Sequence, residues 1–504
     1  MRSFARSISL PSAYAILMLV IVLGAALTWM LPAGRYDLLR YDQAHRVFVA
    51  ERATGEETLP GEQTTLDRLG IQIRIEHFEK GNIRKPVSIP GTYHTVTANQ
   101  QGLIAILKAP VLGTYEAIDV ILFVLVIGGF IGVFQKTGAF DAGLNALVLR
   151  LRGREGWLII IVTTLISLGG TTFGMAEETL AFYPLLVPVF IAAGYDAMVA
   201  VAVIFIGTSV GTMASTVNPF AIIIASNAAG ISWTSGLPGR SIMWTLATGV
   251  SIAYILRYAR KVRLDPKQSL ALGHRHAPAE EPDALKSKHE LTLKMWLLLL
   301  VFALTFGVMI FGVSRLDWWF PEMTTLFFAA ALVIGVIDWR GEKVFTETFI
   351  AGTQNLLGVG LIIGIARGAT LILYKGEISG TILHYLSGRV EHVPGAAFII
   401  ALFFVYNVLS IFIQSSSGMA ALTMPIMSAL AGVSGVSREQ IVNAYCYGQG
   451  LMAFIAPTGL ILPSLAMVNV RFDRWLRFIW LYWCCCQRSR LFFSRPRFCC
   501  RVAS

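Results

Sequence analysis

Long apolar segments with few charged residues recur along the chain, and the first, from Ala13 to Leu31, has none. A helix rises about 1.5 Å per residue, so about 20 apolar residues cross the hydrocarbon core of a bilayer. The run is longer than the roughly 7–15 apolar residues of a signal peptide. It therefore predicts a retained first transmembrane helix, with the N-terminus and its Arg2 and Arg6 in the cytoplasm.

Further apolar segments follow throughout the sequence. They lie near 117–135, 157–174, 178–193, 197–213, 240–256, 295–313, 324–338, 354–374, 395–413, 415–431 and 438–455. Two more, 217–230 and 457–470, are short and interrupted by Pro, Gly and Asn. Only 14% of the 504 residues are charged, against roughly 25% in soluble domains. This composition excludes a soluble enzyme, a disordered chain and a nucleic-acid-binding module. It predicts an all-α polytopic membrane protein with about 12–13 transmembrane helices.

Charge and hydropathy divide the chain into four regions. Residues 1–256 form a first transmembrane repeat, 257–294 a linker, 295–480 a second transmembrane repeat and 481–504 a basic, Cys-rich tail. Within the first repeat, residues 33–115 carry ten basic and nine acidic residues, which predicts an extracytoplasmic insert with some strand content. The linker carries nine basic and five acidic residues, so the positive-inside rule places it in the cytoplasm.

Short sequence matches relate the two halves at an offset of about 240 residues. In order, they pair Gly113-Thr114 with Gly352-Thr353, 137–141 with 375–379, Gly174–Ala176 with Gly418–Ala420, and Ser215–Pro219 with Ala456–Gly459. The segment 324–338 has no counterpart in the first half and reverses the direction of everything after it. The sequence therefore predicts two inverted repeats with re-entrant hairpins and paired broken helices, as in many secondary transporters.

Two adjacent acids, Glu177 and Glu178, follow a run of Gly and Thr that begins at Gly169. A charged residue in an apolar segment costs roughly 2.5–3.5 kcal/mol on insertion scales, so it persists where it faces a cavity, a partner or an ion. The alternative is that both acids cap the helix that starts after Gly174. Adjacent residues lie about 100° apart on a helix. We therefore predict that one acid lines a site and the other is a cap or an ion-pair partner.

Three other places combine polar residues with apolar surroundings. The hydroxyls of Ser415–Ser417 suit a hairpin tip that coordinates a carboxylate or a sodium ion, unless they only bond back to their own helix. Asn218-Pro219 and Pro457-Thr458 interrupt two helices. Because Pro removes a backbone donor, such breaks should line a cavity, unless they are simple kinks.

Arg367 is the one cation predicted at membrane depth. It could hold a substrate carboxylate through a bidentate contact, or neutralise Glu177 or Glu178, which we prefer slightly. An intramembrane hydrolase built on Ser415–Ser417 is the enzymatic alternative. Such chemistry needs a base within hydrogen-bond reach, and all eight histidines lie in predicted loops or at the ends of spans. We therefore predict that the protein is not an enzyme.

Four runs of this sequence resemble the YfcC-like branch of the DcuC (C4-dicarboxylate anaerobic carrier) family, within the ion transporter superfamily. They are Trp29–Gly34, Gly91–His94, Gly169–Glu178 and Ser415–Met419. The resemblance implies a bacterial inner-membrane carrier with inverted repeats and two re-entrant hairpins, similar to carriers of C4-dicarboxylates or basic amino acids. The hairpin-tip residues that it implies are Thr171, Thr172, Ser415, Ser416 and Ser417. The residues that it implies after the paired breaks are Asn218 and Thr458.

The predicted function is secondary active transport by alternating access, with the lipid bilayer and a small molecule as partners. The sequence has no ATP-binding P-loop, so the driving force is an ion gradient or exchange. We slightly favour protons over sodium, because carboxylates can relay protons; a sodium ion near Ser415–Ser417 stays open. We expect no cofactor and no nucleic-acid partner. Whether the protein forms a homodimer stays an open question. An ion channel is the alternative outside the carriers.

Substrate charge follows from the two carboxylates and the single arginine of the predicted site. An unpaired buried charge is expensive, so this excess of negative charge favours a substrate with its own cation. We therefore expect amino acids, including basic ones. C4-dicarboxylates are the alternative.

The tail departs from the pattern of the resembled family, whose members continue with one full apolar helix. The apolar run from Trp475 to Cys486 is too short to span a bilayer. The topology expected from the repeat would also place the five arginines of the tail on the extracytoplasmic side, which conflicts with the positive-inside rule. Our hypothesis is a shifted reading frame near Leu481. Resequencing should then give a different tail, and the same coding sequence with a stable full-length product would refute the hypothesis.

Overall fold

The computed structural model describes most of the chain and is predominantly helical. The described residues are 12–79, 83, 86–140, 142–143, 146, 154–271, 292–316, 318–390, 393 and 395–493. The helices are α1 (Ala13–Met30), α2 (Gln63–Arg68), α3 (Ile75–Glu79), α4 (Leu103–Glu116), α5 (Ile118–Lys136), α6 (Gly156–Phe173), α7 (Tyr183–Ala192), α8 (Ala197–Met213), α9 (Pro219–Ala228), α10 (Leu237–Leu264), α11 (Leu293–Arg315), α12 (Phe320–Ile337), α13 (Glu342–Lys375), α14 (Ser379–Val390), α15 (Gly395–Phe412), α16 (Ser416–Ala429), α17 (Ala431–Ser434), α18 (Arg438–Ala453), α19 (Ile461–Ala466) and α20 (Phe472–Phe493).

Seven of these described helices are long and apolar enough to cross a membrane: α1, α5, α6, α10, α11, α12 and α13. The shorter apolar helices are α8, α9 and the Ala397–Phe412 part of α15. They are short because the chain breaks beside them, as the Pro- and Gly-containing segments predicted. The prediction of an all-α polytopic membrane protein is confirmed. The inverted orientation of the two halves stays a prediction.

The predicted insert contains a four-stranded antiparallel sheet in the order β4-β3-β2-β5 and a two-stranded pair, β1-β6. The strands are β1 (Gly34–Arg35), β2 (Leu38–Asp42), β3 (Val47–Arg52), β4 (Gly55–Pro60), β5 (Val87–Ser88) and β6 (His94–Thr95). The last part of the predicted insert, 103–115, belongs to α4, which packs along α13. Residues 272–291 of the predicted linker and 494–504 of the tail lie outside the described residues.

The 34-residue helix α13 packs along α1, α4 and α5. Glycines at the α5–α13 contact let the two backbones approach closely, because a Cβ atom on Gly352 would overlap the carbonyl oxygen of Gly128. On its other side, α5 joins α11 and α12 in a cluster of phenylalanines that includes Phe130, Phe302 and Phe327. Helices α5, α11, α12 and α13 therefore form a close-packed unit, with α5 at its centre.

A second group of helices carries the breaks. Helices α6 and α8 cross where Gly170 lies against Gly211, and α15 packs on α18. Helices α8 and α18 cross where Met213 lies against Gly450, just before each helix breaks. This crossing places the end of one broken helix beside the end of the other.

The close α5–α13 contact predicts that Gly352→Ala lowers thermal stability in detergent. The added methyl group meets backbone, which cannot move aside as a side chain can, and overpacking typically costs about 1–3 kcal/mol. Gly249→Ala in α10 is the matched control, since a Cβ atom there has no neighbour within 4 Å and Ala favours a helix. Melting temperatures that are equal for the two variants would contradict this account of the contact.

Candidate functional site

The first break separates α6 from the short 3₁₀ segment Glu177–Phe182. Helix α6 ends at Gly174, whose φ of 75° lies in the left-handed region that favours glycine. A Cβ atom at this position would also overlap the side-chain amide of Asn218. Gly174 is therefore required twice, for its backbone conformation and for the close approach of Asn218.

Thr171 closes this break onto the loop that follows α8. Its side chain is buried, and its Oγ1 donates a hydrogen bond to the carbonyl oxygen of Ala214 over 2.8 Å. The carbonyl oxygen of Thr171 accepts from the N–H groups of Thr216 and Val217 and from the Thr216 hydroxyl. Backbone groups that the breaks free from helical bonding are thus satisfied inside the protein, as an apolar environment requires.

Asn218 organises the start of α9. Its Oδ1 accepts from the N–H groups of Phe220 at 2.9 Å and Ala221 at 3.2 Å, and its Nδ2 donates to Ser215 Oγ at 3.1 Å. The side chain is 2% exposed. Asn218 therefore caps α9 and fixes the loop against Gly174 at the same time.

The second half contains a corresponding break between α15 and α16. Ser415 caps α16 by accepting from the N–H of Gly418 at 3.1 Å, and its Oγ lies 3.4 Å from Ser417 Oγ. The carbonyl oxygen of Ser416 accepts from the hydroxyl of Tyr445 at 2.7 Å. The three serines are half-buried, so this hairpin tip presents hydroxyl groups at the start of a helix, where anions bind favourably.

The break after α18 lies against this tip. Thr458 Oγ1 donates to the carbonyl oxygen of Ile411 at 3.4 Å, and a Cβ atom on Gly459 would contact Gln414 Oε1. Gln449 Nε2 donates to the carbonyl oxygen of Gln414 at 3.4 Å. In each half, the loop after a broken helix is therefore bonded to the end of a hairpin helix.

The first residues of α9, Pro219–Ile223, join the two halves of the site, because they pack against α6, α16 and α18. Helix α16 also packs along α9. The segment that begins after Asn218 is therefore in contact with helices from both hairpins.

The charged residues are divided between two places. Glu178 is buried, and its carboxylate accepts from the N–H of Ala176 at 2.8 Å, so it caps the break. Glu177 is half-buried, and Arg367 and Asp119 are close enough for their charges to act on it. Arg367 Nε bonds to Glu116 Oε2 at 3.2 Å. The arginine thus pairs with a carboxylate on α4 that sequence reasoning missed.

With this geometry, comparison with known proteins identifies the family. Residues 10–486 match the model of the family described as DcuC, C4-dicarboxylate anaerobic carrier. The chain belongs to the DcuC family. Membership makes it a multi-pass membrane protein of a transporter family, and the predicted resemblance is confirmed.

Three similar proteins carry different names. An uncharacterized protein of Haemophilus influenzae is 43% identical over 94% of both chains. The Escherichia coli K12 protein named "Putative basic amino acid antiporter YfcC" is 30% identical over 93% of this chain and 92% of its own. The E. coli K12 citrate/succinate antiporter is 22% identical over 46% of this chain and 47% of its own.

Two solved transporters align at 15% identity. The Alcanivorax borkumensis YdaH transporter does so with a TM-score of 0.38 over 96% of this chain and 97% of its own. Neisseria gonorrhoeae MtrF, described as one of a class of antimetabolite efflux pumps, has a TM-score of 0.37 over 95% of this chain and 94% of its own.

The structure joins some of the predicted site residues of this DcuC-family chain and separates others. Thr171 bonds to the loop 214–218, to which Asn218 belongs, and Thr458 bonds to the end of the helix before Ser415. Thr172 instead bonds back to the carbonyl oxygen of Leu168 at 2.6 Å.

The sequence predicts Arg367 as the one cation at depth, whereas the Arg367 side chain is 45% exposed and Arg240 in α10 is fully buried. Arg240 binds the carbonyl oxygens of Trp233 and Ser235. Its burial was hard to predict, because Arg240 is the first residue of an apolar segment.

The double requirement at Gly174 predicts that Gly174→Ala lowers substrate uptake into proteoliposomes at least ten-fold. Gly194→Ala is the matched control, since Gly194 has a φ of 84° but no neighbour within 4 Å of an added Cβ atom. Both variants carry backbone strain of roughly 1–2 kcal/mol, and only the first displaces Asn218. Equal uptake by both variants would show that the Gly174–Asn218 contact is not needed.

Proposed function

We propose that this DcuC-family protein is an ion-coupled or exchange secondary transporter of small carboxylate-bearing substrates in the bacterial inner membrane. The substrates proposed are amino acids, including basic ones. The protein is not proposed to be an enzyme. The observation that carries the substrate proposal is the charge around the first hairpin.

Four carboxylates and one arginine carry the charge around the first hairpin. Glu116 pairs with Arg367, the charges of Arg367 and Asp119 act on Glu177, and Glu178 is adjacent to Glu177 along the chain. Because Glu116 already pairs with Arg367, the remaining charge of the region is negative. Such a region favours a ligand that brings its own cation, since an uncompensated buried charge is strongly destabilising.

The two hairpins offer complementary chemistry to an amino acid. Its carboxylate would meet the hydroxyls and the helix start at Ser415–Ser417, and its cationic groups would lie on the side of Glu177. Glu178 is less suited to contact substrate, because its carboxylate is occupied by the N–H of Ala176. We therefore assign substrate binding to Glu177 and a structural role to Glu178.

A C4-dicarboxylate is the second candidate, favoured by the family description and by the similarity to a citrate/succinate antiporter. It would need Arg367 to leave Glu116, and the other acids to be neutral or bound to an ion. A channel is less compatible, since hydrogen bonds from Thr171 and Thr458 close the breaks.

Coupling to protons is proposed over coupling to sodium, because carboxylates within the membrane can relay protons. The hydroxyl and carbonyl oxygens at the second hairpin would suit sodium. Transport that survives a protonophore but stops without sodium would reverse this choice.

A competition assay with arginine, ornithine, succinate and fumarate on purified protein tests the substrate class. Arginine and ornithine should compete, and Glu177→Gln should weaken their binding about ten-fold because it removes a charge. Glu178→Gln keeps an acceptor oxygen for Ala176 and should bind almost normally. If succinate competes, arginine does not, and Glu177→Gln binds normally, the amino-acid proposal is wrong and the dicarboxylate replaces it.

A further inference from the structure

Helices α4 and α5 together run antiparallel to α13. The junction between α4 and α5 lies near the middle of this long contact. The 14 residues of α4 and the 19 residues of α5, joined by Ala117, lie along the 34 residues of α13. Gly113 lies against Gly364, and Gly128 against Gly352. The residue before the junction, Glu116, is therefore far from both ends of α13.

A charge pair at this level needs water or a polar partner, because a charged side chain facing lipid here would be expensive. The side chains of Glu116 and Arg367 are each 45% exposed. The pair is therefore not enclosed in the packed core. The ion pair joins Nε of Arg367 to Oε2 of Glu116 at 3.2 Å, so the Glu116 carboxylate compensates the charge of the guanidinium.

Helix α5, which follows Glu116 along the chain, contacts the first hairpin. The 3₁₀ segment Glu177–Phe182 packs against α5, and the charges of Arg367 and Asp119 act on Glu177. Arg367 is thus paired with a carboxylate of α4, and its charge also acts on the carboxylate that we assign to substrate binding. The positive charge of Arg367 can attract a substrate carboxylate only to the extent that Glu116 does not already compensate it.

We propose that Glu116 is a specificity-determining residue: by pairing with Arg367, it denies a cationic partner to the second carboxylate of a dianionic substrate. This inference rests on the proposed function. Glu116 is not proposed to contact the substrate. It acts on substrate choice through Arg367, and the result is a site that prefers amino acids with a cation to dicarboxylates.

The test compares uptake of labelled arginine and succinate by Glu116→Gln proteoliposomes with uptake by the unmodified protein. The variant should lower the ratio of arginine to succinate uptake at least ten-fold, because Arg367 then attracts the second carboxylate. Adding Arg367→Gln in the same chain should restore the preference for arginine. A ratio within two-fold of that of the unmodified protein would overturn the proposal.

Glu377→Gln is the matched control, since Glu377 lies 3.8 Å from Arg35 in an ion pair with side chains 36% and 47% exposed. It should leave the uptake ratio unchanged, and an equal fall in this variant would show that losing any such pair suffices. If Glu116→Gln does not fold, Arg367→Gln alone decides: it should deepen the discrimination against succinate, and unchanged discrimination refutes the proposal.

The same assay separates this inference from the proposed function. If the unmodified protein carries succinate and not arginine, the proposed substrate class fails. If it prefers arginine and Glu116→Gln keeps that preference, only the role of Glu116 fails.

Discussion

Broken helices inside a membrane leave backbone N–H and C=O groups that lipid cannot satisfy, and the site of this protein is built on that constraint. Each break must find its partners within the protein. In the first half they come from Thr171 and Asn218, and in the second from Thr458 and the residues around Gln414. The hydrogen bonds that satisfy the breaks also hold the polar side chains together, so the same interactions stabilise the fold and organise the candidate site.

Charge is distributed around these breaks in a way that a linear count of residues does not show. Glu177 and Glu178 are neighbours in sequence, yet one is bonded to the backbone of Ala176 while the other lies within the field of Arg367. Arg367 is held by Glu116 from a different helix. Under the proposed function, substrate preference depends on which carboxylates remain unpaired, rather than on how many are present.

Much of this fold could be predicted from sequence, because apolar length, Pro and Gly report directly on membrane helices and their interruptions. The breaks at Gly174 and near Asn218-Pro219 occur where the sequence placed them. The partner of Arg367 could not be predicted, since Glu116 is 251 residues away and borders a segment with the composition of a soluble insert. Arg240 was missed for a related reason: burial of a charge at the start of a helix depends on the packing of other helices.

The most direct measurement of the central claim is an electron cryomicroscopy structure of the protein in lipid nanodiscs with bound arginine. The account predicts ligand density between the two hairpins, with the substrate carboxylate at Ser415–Ser417, a cationic group beside Glu177 and Arg367 still paired with Glu116. Ligand density elsewhere, or an arginine carboxylate bound directly by Arg367 away from Glu116, would contradict it.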